Sequence, residues 1–451
     1  MDIIAAISTG NAATAIGVVR ISGDGCFALC DRLFRPLYGG PLSAQPPRKM
    51  IYGDVLDPSG DVLDRALAVR FPGPNSYTGE DSAEFHCHGS PVVLREVLCS
   101  LFELGARQAL PGEFTKRAFL SGQMDLTQAE AVIDLIHAET AAAAKNAIAQ
   151  LDGALRRPLE QVQNTLLDVA SRFYAVVDYP DEDIEDISPE EVQSALETSE
   201  TVLARLLATC GRGRILKSGV RTAIVGRPNA GKSSLLNALA GYERAIVTDI
   251  PGTTRDTIEE KMRLGSLTLR LTDTAGIRDS EDKVEQLGVE RSRLALERSE
   301  LVIAPVDGSG EINDEDMEIV RLAEKASKAL LVISKADLEQ QGDIIETSLP
   351  TVSISSVTGQ GLEELEKAIE KLFPMPQVPA GEILTNVRHA QAVSAALESI
   401  TAALEAMEYG ATPDIVLTEA ETAMAALGEL SGRSIREDVT NRIFQRFCVG
   451  K

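Results

Sequence analysis

One stretch constrains the architecture more than any other: RTAIVGRPNAGKSSLLNAL, residues 221–239. A β-branched apolar run feeds straight into Gly226, Gly231, Lys232 and Ser233 at GxxxxGK[ST] spacing, and an apolar-periodic segment follows. That spacing carries meaning only as strand, tight loop and helix. The glycines let backbone N–H groups turn inward around phosphates, and the helix N-terminus adds its dipole. Lys232 is then placed for β and γ phosphates, and the Ser233 hydroxyl for Mg2+.

Such a strand needs a sheet around it. LRLTDTAG, ELVIAPVDGSG, ALLVISKAD and TVSISS are short, β-branched and nearly continuous in hydrophobicity, and they alternate with helical patterns. This predicts a mostly parallel sheet covered on both faces over residues 216–375. The flanks are helical. DLTQAEAV gives Thr127 and Glu130 capping-box spacing before a long Ala-rich helix that Gly153 breaks. Pro158 suits the first turn of another helix, with Leu159, Val162, Leu166, Val169, Phe173 and Val176 on its apolar face. SPEE at Ser188–Glu191 caps a third, and AVSAALESITAALEAM and TEAETAMAALGEL resume the pattern. The α/β block therefore reads as an insertion whose two ends lie close together.

Residues 1–119 alternate strands with turn signals (IGVVRISG, RALAVRFPGPNS, AEFHCHGS) around one helix, VVLREVLCSLFELGA. The predicted fold class is multidomain α/β and all-α. Its segments are an N-terminal α+β domain at 1–119, helical segments at 120–215 and 376–451, and the inserted P-loop domain at 216–375.

At 451 residues the chain exceeds one ordinary core. A net charge of −24 argues against broad nonspecific nucleic-acid binding. Two local basic runs stand out. GRGRILKSGVR, with Arg212, Arg214, Lys217 and Arg221, reads as a solvated linker or a phosphate-meeting surface, and Lys116–Arg117 is a second pair. No run of eighteen apolar residues is present, so no membrane span is expected. The N-terminal MDIIAAIS lacks the pattern of a signal peptide and reads as a buried strand, and six scattered cysteines without CxxC read as reduced thiols in a cytoplasm. In HCH at His86–His88, a strand would point Cys87 away from both histidines, so zinc is not expected there.

The nucleotide reading extends beyond the loop. Asp273, in DTAG with Thr274, Ala275 and Gly276, suits a Mg2+ role, and the Gly276 N–H can sense a γ-phosphate. Thr253 and Thr254 lie on a loop where one hydroxyl can complete the magnesium shell only with a γ-phosphate present. In SKAD (Ser334, Lys335, Ala336, Asp337), the Asp337 carboxylate accepts from guanine N1–H and the exocyclic amine, a donor pair adenine lacks. Ser334 stands where Asn is usual, and Ser355, Ser356 and Val357 suit the last base-contacting loop. Ras-type GTPases place a water-orienting Gln after DTAG, where this chain has Ile277. Another group must serve; Arg278, Glu281, Asp282 and Glu285 follow, and Arg255 lies upstream.

IGVVRISG, FPGPNSYTGED, PGEFTKRAFLSGQMDLTQAEAV, GRPNAGKSSLLNAL, IVTDIPGTTRD, DTAGIR and CVGK together resemble the MnmE (TrmE) family of tRNA modification GTPases over nearly the whole chain. The resemblance implies a Ras-like G domain whose GTP site includes Asn229, Ala230, Gly231, Lys232, Ser233, Ser234, Thr248, Asp249, Ile250, Pro251, Gly252, Thr253 and Thr254. It implies that K+ replaces an arginine finger, held by Asn229, Thr248, Ile250 and Thr253, with Ser233 and Thr254 on Mg2+ and Glu285 orienting water. It also implies an N-terminal domain that dimerises and binds a 5-formyl-tetrahydrofolate-type ligand through Arg20, Glu84, Lys451 and a position held here by Gln123. CVGK would then bring Cys448, as nucleophile or positioning group, and Lys451 to the one-carbon unit. The expected role is cytoplasmic: with the FAD-containing partner MnmG (GidA), a homodimer modifying the wobble uridine of certain tRNAs. The competing class is a GTP-dependent assembly factor with no base-modifying activity, which would need neither the folate-type domain nor CVGK.

Overall fold

The computed structural model describes residues 2–10, 12–178, 188–242, 260–271, 299–340, 345–374, 378–432, 443–444, 447 and 449–450. The chain divides into two compact units: Met1–Ile133, Gln150–Glu200 and Ala395–Lys451 form one, and Asp134–Ala149 and Thr201–Ser394 the other.

The first unit is built on a sheet of β1 (Ile4–Ile7), β2 (Thr14–Ser22), β3 (Phe34–Pro36), β4 (Ile51–Leu56), β5 (Val62–Phe71), β6 (Ser82–Gly89) and β7 (Arg107–Gln108), ordered β3-β4-β5-β6-β2-β1-β7. Alternation along the strands gives it two chemically distinct faces. Val19, Ile21, Ala66, Ala68, Phe85 and Cys87 pack into a core with Leu94, Val97 and Leu101 of helix Pro91–Glu103. Arg20, Glu84 and His86, their neighbours in sequence, therefore point the other way. Gly17 keeps helix Pro91–Glu103 close: a Cβ there would lie 2.4 Å from Leu94 Cδ1.

The helical part of this unit follows its expected apolar face, with Leu159, Val162, Leu166 and Val169 buried in helix Arg156–Asp178. The N-terminal signal at 125–130 differs from expectation. The cap is Asp125, not Thr127: its carboxylate accepts from Gln128 N (2.9 Å), and the Gln128 side chain accepts from Asp125 N (3.0 Å). Thr127 is buried inside the helix and donates to that same carboxylate at 2.7 Å. The Ala-rich stretch forms two helices, Leu126–Ile136 and Ala141–Leu151, the latter mostly within the other unit, because Thr140 starts a new one by accepting from Ala143 N at 3.1 Å. The Ser188–Glu191 box forms as read, with Glu191 N donating to Ser188 Oγ (3.2 Å) and Ser188 N to Glu191 Oε2 (3.0 Å).

In the second unit, β8 (Val220–Ile224), β9 (Glu260–Leu264), β10 (Leu267–Leu271), β11 (Leu301–Asp307), β12 (Ala329–Ser334) and β13 (Thr351–Ser353) form a sheet ordered β13-β12-β11-β8-β10-β9. All pairings are parallel except β10 with β9 at one edge. Val302, Ile303, Ala304, Leu330, Leu331 and Val332 are buried without alternation, as strands covered on both faces require. The ends of the insertion do meet, since Thr209 Oγ1 accepts from Leu384 N at 2.9 Å. The basic run before β8 is a helix, Cys210–Ser218, not a solvated linker. Arg214 and Arg221 face Glu300, and Lys217 lies 2.7 Å from Asp134, so carboxylates hold these cations within the unit. Arg117 of the other basic pair is buried among Asp2, Glu80 and Glu113 of the first unit.

Candidate functional site

Two loops leave the C-terminal edge of the parallel sheet and meet. The first follows β8, where Val225 N donates to Ile303 O at 3.0 Å. Asn229 and Gly231 have φ of 65° and 91°, left-handed values that turn successive N–H groups toward one side, the geometry of an anion nest. Lys232 opens helix Lys232–Tyr242, and its Nζ donates to Gly226 O (2.6 Å) and Arg227 O (2.8 Å). Burial pushes its pKa below the ordinary 10.5. The loop is braced from behind by Arg227, whose Nε lies 2.8 Å from the fully buried Asp316 carboxylate. Asp316 also completes the capping box with Asn313 at helix Asp314–Ala323.

The second loop follows β12. Ser334 is buried, and its Oγ sits 2.9 Å from Ala230 O and 3.1 Å from Val306 O. The hydroxyl thus ties the base-side loop to the phosphate loop. Lys335 has φ of 58° and reaches Asp307 at 2.5 Å; burial raises the Asp307 pKa, but its bonds from Lys335 and Ser309 outweigh this and hold it below 3.8. Asp337 Oδ1 accepts from Ser355 Oγ at 2.6 Å, and Ala336 N donates to Ile354 O at 2.9 Å. SKAD and SSV, separate in sequence, are neighbours here, with Val357 85% exposed beside them. This combination of loop, helix start and base-side carboxylate fits a purine nucleotide with its phosphates at the nest. The expected ligands Thr248, Asp249, Ile250, Pro251, Gly252, Thr253, Thr254, Asp273, Thr274, Ala275 and Gly276, with Arg255, Arg278 and Glu285, lie outside the described residues.

A second constellation occupies the first unit. Arg20 and Glu84 are cross-strand partners, and Arg20 Nε donates to Glu84 Oε1 at 2.9 Å. The guanidinium lies over the rings of Tyr77 (5.5 Å to the centroid) and Phe114 (5.7 Å). Tyr77 Oη bonds Thr115 Oγ1 at 2.9 Å, and burial raises the Tyr77 pKa. Gln123 flanks the same loop: a Cβ on Gly79, held at φ +78°, would come within 3.2 Å of its Nε2. The C-terminal tail reaches this sheet, with Ser8 Oγ donating to Gly450 O (3.0 Å) and Ser8 N to Val18 O (2.8 Å). Cys448 and Lys451 lie outside the described residues. An aromatic-clamped guanidinium beside a carboxylate suits a flat, polar heterocycle bearing N–H donors, so the residues present fit a reduced folate.

Reading the sequence missed Arg227, Asp316, Tyr77, Phe114 and His86 as parts of these sites. Only His86 had a local signal, its period-two spacing from Glu84.

The strand, phosphate loop, helix and base-side loop on a parallel sheet define a P-loop nucleotide-binding protein. The model of the MnmE helical domain matches residues 126–448, and that of the GTP-binding protein TrmE N-terminus matches 3–123. The tRNA modification GTPase MnmE of Roseiflexus castenholzii is 42% identical over 467 residues, covering 100% of this chain and 99% of that protein. That of Alkaliphilus oremlandii is 40% identical over 458 residues, with the same coverage. Among solved structures, the G domain of the T. maritima FeoB iron transporter is 28% identical, covers 34% of this chain and 97% of its own, and has a TM-score of 0.25. The chain belongs to the tRNA modification GTPase MnmE family.

Proposed function

We propose that this chain is a potassium-dependent GTPase that, with an MnmG-type FAD partner, adds a carboxymethylaminomethyl-type group to C5 of the wobble uridine of certain tRNAs, using a tetrahydrofolate one-carbon unit. The GTPase role in tRNA modification is that of the family. The observation carrying the finer reading is that Arg20 and Glu84 pair on the N-terminal sheet, where Ser8 just past β1 meets Gly450 of the tail, in a chain that also carries a phosphate nest. The working division is 1–119 for folate binding and dimerisation, 120–215 and 376–451 for the helical domain, and 216–375 for the G domain.

In the nucleotide site, Lys232 exchanges Gly226 O and Arg227 O for phosphate oxygens, and the nest donates N–H groups to the β-phosphate. Ser233 and Thr254 are assigned to Mg2+, and Asn229, Thr248, Ile250 and Thr253 to K+. A bound K+ supplies the positive charge that an arginine finger gives elsewhere. Glu285 orients the attacking water, with Arg255 and Arg278 as adjacent cations. Asp337, fixed by Ser355, selects guanine. Cys448 and Lys451 act at the folate end. No helix among the described residues is long and apolar enough to cross a membrane, and the protein is assigned to the cytoplasm as a homodimer.

Mass spectrometry of wobble uridines in a bacterium lacking the modification tests this reading, with cells carrying the native chain or Cys448→Ser. Restoration by the native chain alone supports the pathway and a chemical role for the tail. Restoration by neither, with both proteins hydrolysing GTP, favours an assembly factor.

A further inference from the structure

The Glu84 carboxylate has a second neighbour that the family reading does not use. Oε1 accepts from Arg20 Nε at 2.9 Å, and Oε2 lies 3.1 Å from His86 Nε2. The three side chains are 20%, 17% and 23% exposed for Arg20, Glu84 and His86, so a ligand can reach them while solvent is mostly kept out. A carboxylate paired with a guanidinium only accepts hydrogen bonds, which makes His86 Nε2 the donor in this contact.

The second bond matters because of how a glutamate moves. Its terminal torsion is broad and roughly two-fold, so one donor leaves the carboxylate plane free to turn. Here Arg20 is itself immobilised against Tyr77 and Phe114, and His86 closes the other side. Arg20 and His86 bond different oxygens, so each oxygen retains acceptor capacity for a ligand while the plane is held. That is the acceptor pair required by a 2-amino-4-oxo heterocycle, whose amine and ring N–H donate side by side. Neither cross-strand neighbour of His86 can substitute for it in this role. Its register partners on the neighbouring strands are Val18 and Leu67, neither of which carries a side-chain donor.

We propose that His86 is a positioning residue of the tetrahydrofolate site, holding the Glu84 carboxylate in the plane that receives the ligand's paired N–H donors. This rests on the tetrahydrofolate reading above. It is tested by calorimetric titration of the full chain with 5-formyl-tetrahydrofolate, comparing the native protein with His86→Gln, His86→Leu and His86→Met. Glutamine retains an N–H donor at similar reach, whereas leucine and methionine fill space without donating.

The expected result is affinity within about threefold of native for His86→Gln, and loss of about tenfold or more for both apolar variants, the scale of one bond to a charged group. Two apolar variants of different shape guard against one failing to fold, and ligand-free melting identifies any that does. Native affinity in the apolar variants overturns the proposal while leaving the folate site standing. Equal loss in His86→Gln and the apolar variants also overturns it, since donation would then not be what matters. Absence of binding by the native chain removes the tetrahydrofolate reading itself, and the proposal with it.

Discussion

Lys232 keeps its ammonium satisfied by two carbonyls of its own loop, Gly226 O and Arg227 O, at a site where burial already disfavours the charge. A phosphate replaces those weak partners with a full anion, so the residue gains most when substrate charge develops. Lys232→Ala is therefore expected to lower GTP hydrolysis by about 100-fold or more, measured as phosphate release at saturating GTP. That residue was legible in sequence because its neighbours dictate its geometry. Arg117 was not. Its Nη atoms reach Glu113 (3.2 Å), four residues upstream on the same helix, but also Asp2 (2.7 Å) and Glu80 (3.0 Å), which no local pattern announces. Arg117→Met leaves the mostly buried Glu80 without its cation, while Asp2 and Glu113 keep Arg107, and should cost about 3 kcal/mol, read from urea unfolding of the full chain. Ser334 was visible only as a departure from Asn, and its tie to Ala230 O emerges from the fold.

Elements behave differently from residues because they answer to their surroundings. Glu113 opens helix Glu113–Leu120. Burial raises its pKa, but bonds from Arg107, Leu110 N and Arg117 outweigh this and hold it below the ordinary 4.5. A depressed carboxyl stabilises the fold fully above the unfolded value and loses that contribution as pH falls through the folded one. The first unit should thus weaken below about pH 4.5, and the acid-induced loss should be smaller in Glu113→Gln, which chemical denaturation at stepped pH would reveal. Helix Cys210–Ser218 makes a sharper case. A Cβ on Gly213 would fall 1.8 Å from Leu384 O, so Gly213→Ala must push the helix off that segment. The expected cost is about 1–3 kcal/mol, seen as a lower melting temperature. The helix escaped notice because its cations looked like a solvated run, and their acids, Glu300 and Asp134, arrive from elsewhere in the chain.

At the scale of the whole molecule, the order of strands and helices told most of the story. Continuous apolar runs mark the parallel sheet, and the helical patterns on either side of it are what made it read as an insertion. What order could not give is which helices share a unit, since that depends on packing between segments hundreds of residues apart. The proposed K+ dependence is also a property of the assembled protein. Hydrolysis in equimolar KCl should exceed that in NaCl by about tenfold or more, because only an ion of the right size can stand in for an arginine finger. Equal rates would remove K+ from the site.

The packing of Phe444, Phe447 and Gly450 also sets a timetable. Phe444 and Phe447 cover Leu126 and Ala129, Phe444 stacks 6.2 Å from Phe119, and Gly450 closes onto Ser8. At 5–20 residues per second, a ribosome takes about 15–60 s to travel from Ile133 to Phe444. Throughout that interval Leu126 and Ala129 lack the two rings that pack against them in the finished fold. A chain that stops short of Phe444 leaves Leu126 and Ala129 without those two rings, so truncation at the far end of the sequence is felt at the start of helix Leu126–Ile136.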